Sequence, residues 1–163
     1  MTTRHNNPAR RIMKKWLLFL LLLLAGPTAA GAQVAVVAHK AVPTDDIDVR
    51  RLLDIYSLEE TRWQDGTRIV PFDLKGKNGL KEQFYGFIGR RPEDMKRIWL
   101  RLILSGEGRS PTLLKSSEAV LEQVAETPGA IGYVPVTAVT DEVKVIATIQ
   151  VSPPHKTEVH RQS

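Results

Sequence analysis

Apolar and polar positions along this chain switch between two spacings, and the switches mark out its elements. Val34-Ala35-Val36-Val37-Ala38 is a continuous apolar run between Gln33 and His39, which predicts a buried strand. After a turn at Pro43-Thr44, Asp48 is placed to cap a helix whose face carries Val49, Leu52, Leu53 and Tyr56 at i, i+3, i+4 and i+7. The Asp65-Gly66 turn introduces a second strand over residues 69–72. Leu80, Phe84, Phe87 and Ile88 form the next helical stripe, and Gly89 suits a left-handed cap at its end. Pro92 opens a further helix with Glu93 and Asp94 in its first turn, and its apolar face is Met95, Ile98, Trp99, Leu102 and Ile103. Residues 105–115 read as a loop rich in turn formers, and Ser116 or Ser117 caps a last helix bearing Val120, Leu121 and Val124. Thr127-Pro128-Gly129 ends it, and residues 130–134 and 143–149 are two closing strands. The order of strand, helix, strand, three helices and two strands predicts a layered α/β fold. Its opening alternation implies a right-handed crossover and a parallel first pair.

The segment ahead of this domain reads as an export signal. Arg4, Arg10, Arg11, Lys14 and Lys15 precede an apolar run over residues 16–25, and Gly26-Pro27 breaks that run before the small-residue site Ala30-Gly31-Ala32. Ten apolar residues in a helix extend about 15 Å, short of the ~30 Å needed to cross a hydrocarbon core, which disfavours a retained anchor. The expected organisation is therefore a signal peptide over 1–32, an α/β domain over 33–150 and a loose polar tail over 151–163, with Met1 or Met13 as the start.

Removing residues 1–32 changes the charge. The whole chain carries a formal +5, yet residues 33–163 hold 18 basic and 18 acidic side chains and are neutral. Binding to a nucleic-acid backbone thereby loses its electrostatic support. The chain has no cysteine, so disulfides, thiolate metal sites, a thiol nucleophile and a lipoprotein anchor are excluded. A periplasmic or secreted protein is expected. The four histidines do not pair at metal-ligand spacing, and neither a nucleophile elbow nor a P-loop occurs. The expectation is a protein that is not an enzyme and needs no cofactor or metal.

Trp63-Gln64-Asp65-Gly66, the strand ending in Pro71-Phe72-Asp73, Phe84, and Pro128-Gly129-Ala130-Ile131-Gly132-Tyr133-Val134 together resemble the signatures of the phosphate-binding proteins of ABC transporters. The likeness runs from about Val34 to Ile149 and is most specific in its last motif. It implies one lobe of a periplasmic binding protein type II-like fold, with a mixed, mostly parallel sheet flanked by helices. Members of that family hold phosphate partly through a Ser-Gly-Thr at a helix start. Counting back from Phe84 places Asn78, Gly79 and Leu80 there, so the glycine is kept and both hydroxyls are replaced.

The candidate anion-binding residues are Lys75, Lys77, Asn78, Gly79, Leu80 and Lys81, with Arg109 from the later Gly-containing loop. A strand end followed by a helix start is where open α/β sheets bind ligands, through unpaired N–H groups and the positive dipole end. The alternative is a solvated loop whose glycines only turn the chain. For residues 105–110 a plain interhelical loop is favoured, because Glu107 would repel the anion that Arg109 attracts. Packing is the expected role of Trp63, Trp99 and Tyr133. The functional expectation is an exported protein that binds phosphate or another small oxyanion and works with a membrane transporter or envelope partner. The competing expectation is an interaction or accessory module that keeps the lobe as a scaffold without binding a ligand.

Overall fold

The computed structural model describes residues 33–150, so the expected signal segment and tail lie outside the described residues. Five strands form one sheet: β1 (Gln33–Ala38), β2 (Val70–Leu74), β3 (Thr112–Leu114), β4 (Ala130–Pro135) and β5 (Lys144–Gln150). Four helices accompany them: α1 (Val49–Tyr56), α2 (Gly79–Phe87), α3 (Pro92–Leu104) and α4 (Ser117–Glu126). The strand order is β3-β2-β4-β1-β5. β2 runs parallel to β3 and β4, while β1 is antiparallel to β4 and β5, so β1 alone opposes the common direction. This is the expected α/β lobe with a mixed sheet, of whose four strand pairings two are parallel and two antiparallel.

One topological expectation is corrected. β1 and β2 are not a parallel pair, because β4 lies between them and β1 runs the other way. The right-handed crossover rule governs parallel strands only. Residues 34–38 of β1 are fully buried, and they are flanked by β4 on one edge and β5 on the other. β3 was also missed, since its three residues fall inside the stretch read as a loop and two of them are exposed.

The caps follow the sequence closely. Asp48 accepts from Arg51 N at 2.8 Å, Asn78 from Lys81 N at 2.8 Å and Ser116 from Ala119 N at 3.3 Å. Pro92 starts α3 as expected. Gly89 takes φ +71 beyond α2, where its N–H and that of Arg90 bond back to Gly86 O and Tyr85 O.

Helices cover both faces of the sheet, and β4 shows how. A Cβ at Gly132 would lie 2.6 Å from Val120 Cγ1 of α4, so that face admits only glycine. Tyr133 points the other way and stacks on Phe84 of α2 with ring centroids 4.1 Å apart. Tyr56 of α1 reaches the same aromatic group, 4.8 Å from Phe84, and Trp99 of α3 meets Tyr85 at 6.3 Å. The buried faces of α1 to α3 are rotated slightly from the expected stripes. Ile55 and Tyr85 are buried, whereas Val49, Phe87 and Ile103 are exposed.

The residues of the family-like motifs brace one another. Trp63 Nε1 donates to Gly129 O at 2.9 Å, and Val70 N donates to the same oxygen at 3.1 Å. Gly129 has φ +80, and a Cβ there would stand 2.2 Å from Arg68 O. Trp63 and Trp99 are both buried, and Trp99 Nε1 donates to Tyr56 O at 2.7 Å.

Candidate functional site

β2 carries the chain to the start of α2 through residues 75–78. Lys75 N donates to Leu114 O at 2.7 Å, which holds the strand end beside β3, and Gly76 at φ +83 turns the chain. Asn78 then caps α2 through its side-chain oxygen, leaving its amide NH2 free to donate outward. The Gly79 and Leu80 N–H groups find no protein acceptor among the described residues, as first-turn donors do not. Lys75, Lys77 and Gly79 are exposed. A Cβ at Gly79 would meet nothing within 4 Å.

Lys81 belongs to a different setting. It is 2% exposed, and its Nζ lies 2.6 Å from Asp73 Oδ2 and 2.7 Å from Leu74 O. Its remaining surroundings include the Tyr85 ring, with the centroid 5.8 Å from Nζ. Asp73 is fully buried and accepts further bonds at Oδ1 from Tyr133 OH at 2.5 Å and Leu74 N at 2.8 Å. The ammonium thus neutralises an internal carboxylate instead of facing solvent. A buried pair of this kind persists because the opposite charges meet and hydrogen bonds, two at the ammonium and three at the carboxylate, stand in for water. Leu80 is half-buried and packs against the core, so only its backbone is available at the helix start.

Three tyrosines surround the pair. Tyr56, Tyr85 and Tyr133 all have their pKa raised, first by burial and then by the negative charge of Asp73. Tyr56 OH donates to Phe72 O at 3.0 Å. Tyr85 OH is buried with no hydrogen-bond partner among the described residues.

Of the sequence candidates, residues 75–79 and the backbone of Leu80 come together, Lys81 lies beneath them, and Arg109 is elsewhere. Arg109 lines a cleft of about 530 Å³ beside Val70 and Pro71, at the amino end of β2, together with Arg62 and Arg68. Asp73 was read only as part of the Pro71-Phe72-Asp73 motif, and Arg62 and Arg68 were not singled out from the sequence. A carboxylate next to a buried strand was the available sign for Asp73, since it needs a partner.

No protein-family model and no curated protein matches the chain by sequence. Solved structures do match its fold. One is a phosphate ABC transporter substrate-binding protein from Clostridium perfringens with bound phosphate, at TM-score 0.59 and 21% identity, covering 71% of this chain and 45% of that one. An ABC-type phosphate transport receptor from Vibrio cholerae matches at TM-score 0.57 and 17% identity, over 71% of this chain and 47% of the receptor. PstS from Borrelia burgdorferi matches at TM-score 0.52 and 14% identity, over 73% and 49%. The domain is therefore a single lobe of periplasmic binding protein type II-like architecture, similar to phosphate-binding proteins. The match takes in less than half the length of each of these relatives.

Proposed function

We propose that this is an exported binding protein whose lobe seats a small phosphate-like oxyanion at the start of α2, as an accessory to anion transport. The observation that carries the reading is the open helix start. Gly79 and Leu80 N–H groups without protein acceptors, the Asn78 amide and the exposed Lys75 and Lys77 gather at the carboxyl end of β2. The likeness of the lobe to proteins described as phosphate-binding supports it. Export rests on the basic and apolar pattern of residues 1–32, and no helix among the described residues is long and apolar enough to cross a membrane. Because the site is exposed, solvent and salt screen its charges, and binding should be weak.

Calorimetric titration of residues 33–163 with orthophosphate and sulfate tests the reading, with Gly79→Asp as the decisive variant. The open space at Gly79 lets the fold accept the substitution, while the new carboxylate repels the anion at the helix start. Heat from the parent in the millimolar range and none from the variant, at unchanged Tm, is the expected result. No heat from the parent would overturn it.

A second reading is favoured by one specific observation, the withdrawal of Lys81 into the interior. In that reading the lobe is an interaction module without a ligand, and the exposed Leu100, Ile103 and Leu104 of α3 contribute to a partner surface. Crosslinking in intact cells separates the two. A reproducible envelope neighbour without an anion titration selects the module, and the reverse selects the seat.

A further inference from the structure

The cleft at the amino end of β2 has its own chemistry. Arg62, Arg68 and Arg109 line it together with Thr61, Ser110 and Thr112, and Glu107 is its one carboxylate. None of the three guanidiniums has a carboxylate within ion-pair distance among the described residues, although Arg62 Nη1 donates to Gly66 O at 2.9 Å.

Arg62 and Arg68 are directly opposite each other in an antiparallel bridge. The flanking bonds, Trp63 N to Thr67 O at 2.8 Å and Ile69 N to Thr61 O at 2.9 Å, make this the non-hydrogen-bonded kind of pair, in which side chains approach most closely. Like charges placed directly opposite destabilise a ladder. An anion between the two forks would reverse the sign of that term.

The third arginine is brought in by a strained residue. Leu58 follows α1 at φ +65, the one non-glycine residue with positive φ among those described. Its N–H and that of Glu59 bond back to Ile55 O and Asp54 O, the geometry that Gly89 adopts after α2 without a side chain. Leucine bears a steric cost there that glycine would avoid. Its side chain approaches the loop carrying Arg109, for a Cβ at Gly108 would stand 3.4 Å from Leu58 Cδ1. Leu58 also lines the cleft.

We propose that this cleft is an anion site for a small ligand bearing at least two linked phosphate groups, of the pyrophosphate class. Three guanidiniums, of which Arg62 keeps one N–H on Gly66 O, and three hydroxyl-bearing residues spread donors over more of the cleft than one phosphate covers. The volume of about 530 Å³ is that of a small-molecule pocket rather than a single-ion seat. The site is at the end of β2 opposite the start of α2 and does not depend on the proposed seat there.

Calorimetric titration of residues 33–163 with inorganic pyrophosphate, in the absence of divalent cations, tests it alongside orthophosphate. Pyrophosphate should bind more tightly than orthophosphate, and its affinity should fall as salt rises. Arg68→Gln and Arg109→Gln should each weaken it by about tenfold or more with Tm unchanged, since each removes a charge-assisted fork from an exposed position. Glu107→Gln should tighten it, by removing repulsion. Gly79→Asp should leave pyrophosphate affinity as in the parent, even where it abolishes orthophosphate heat. Absence of pyrophosphate binding, or equal binding by both arginine variants and the parent, overturns the site. Loss of pyrophosphate binding in Gly79→Asp, with the arginine variants unaffected, overturns it too and moves the ligand to α2.

Discussion

At the carboxyl end of β2, Asp73 and Lys81 are buried together, and Tyr133 and two backbone groups of Leu74 add hydrogen bonds to the pair. At its amino end, Arg62, Arg68 and Arg109 line an open cleft with no carboxylate in ion-pair reach among the described residues. The same strand thus separates charge paired inside the fold from charge on exposed arginines without a carboxylate partner among the described residues. Desolvation makes the first group costly to disturb and solvation makes the second cheap to change. The glycines divide differently. Gly129, beside Arg68, sits where a Cβ would stand 2.2 Å from a backbone oxygen, whereas Gly79 faces open space. The amino end is tightly built in its backbone and open in its side chains.

The largest effect expected from breaking this comparison is Lys81→Met. It leaves Asp73 as an uncompensated buried charge and should cost about 3–5 kcal/mol in urea unfolding, with Asp73→Asn added to it restoring part of the loss. A cost near that of an exposed lysine would show that the pair is solvated.

Next is the glycine contrast. Gly129→Ala forces a side chain into a positive-φ position against Arg68 O and should cost at least about 2 kcal/mol, while Gly79→Ala should change stability by less than about 0.5 kcal/mol. Equal thermal shifts for the two would break the distinction.

The tyrosines sharpen it by pH. Tyr56, Tyr85 and Tyr133 have folded pKa values raised above that of the unfolded chain. Their contribution is therefore fully present below about pH 10, and it declines as the unfolded chain ionises above that pH, by up to about 1.4 kcal/mol per pH unit for each tyrosine. Unfolding free energies that stay flat between about pH 9 and pH 11 would contradict this.

Tyr85→Phe should reduce that alkaline slope by one proton. It should also stabilise the fold at neutral pH by about 1 kcal/mol, because it removes a hydroxyl buried without a partner. Smallest of all, Lys75→Gln and Lys77→Gln should shift stability by less than about 0.5 kcal/mol while lowering orthophosphate affinity. Denaturant midpoints and titrations on the same samples check both halves.

Much of this was written in local sequence. The caps at Asp48 and at Ser116 or Ser117, Pro92 at a helix start and Gly89 at a helix end act within a few residues of themselves, so spacing located them, whereas Asn78 was placed by the family resemblance. The apolar run at 34–38 likewise announced a buried strand. Strand order was not legible, because the partners of β1 are supplied by β4 and β5 from the far end of the domain, and nothing local in residues 33–38 distinguishes them from β2. β3 was hidden for a related reason, since its three residues are a strand only by their pairing with β2. The candidate site divides the same way. The family resemblance placed the helix start at Asn78, yet Lys75, Lys77 and Lys81 are three similar cations in sequence, and only packing against Asp73 makes the last one internal. Arg62, Arg68 and Arg109 are separated along the chain and become one cleft through a bridge and a loop propped by Leu58. Sequence determines charge and local geometry, while tertiary structure decides which charges lose their water, and that loss sets what each can do.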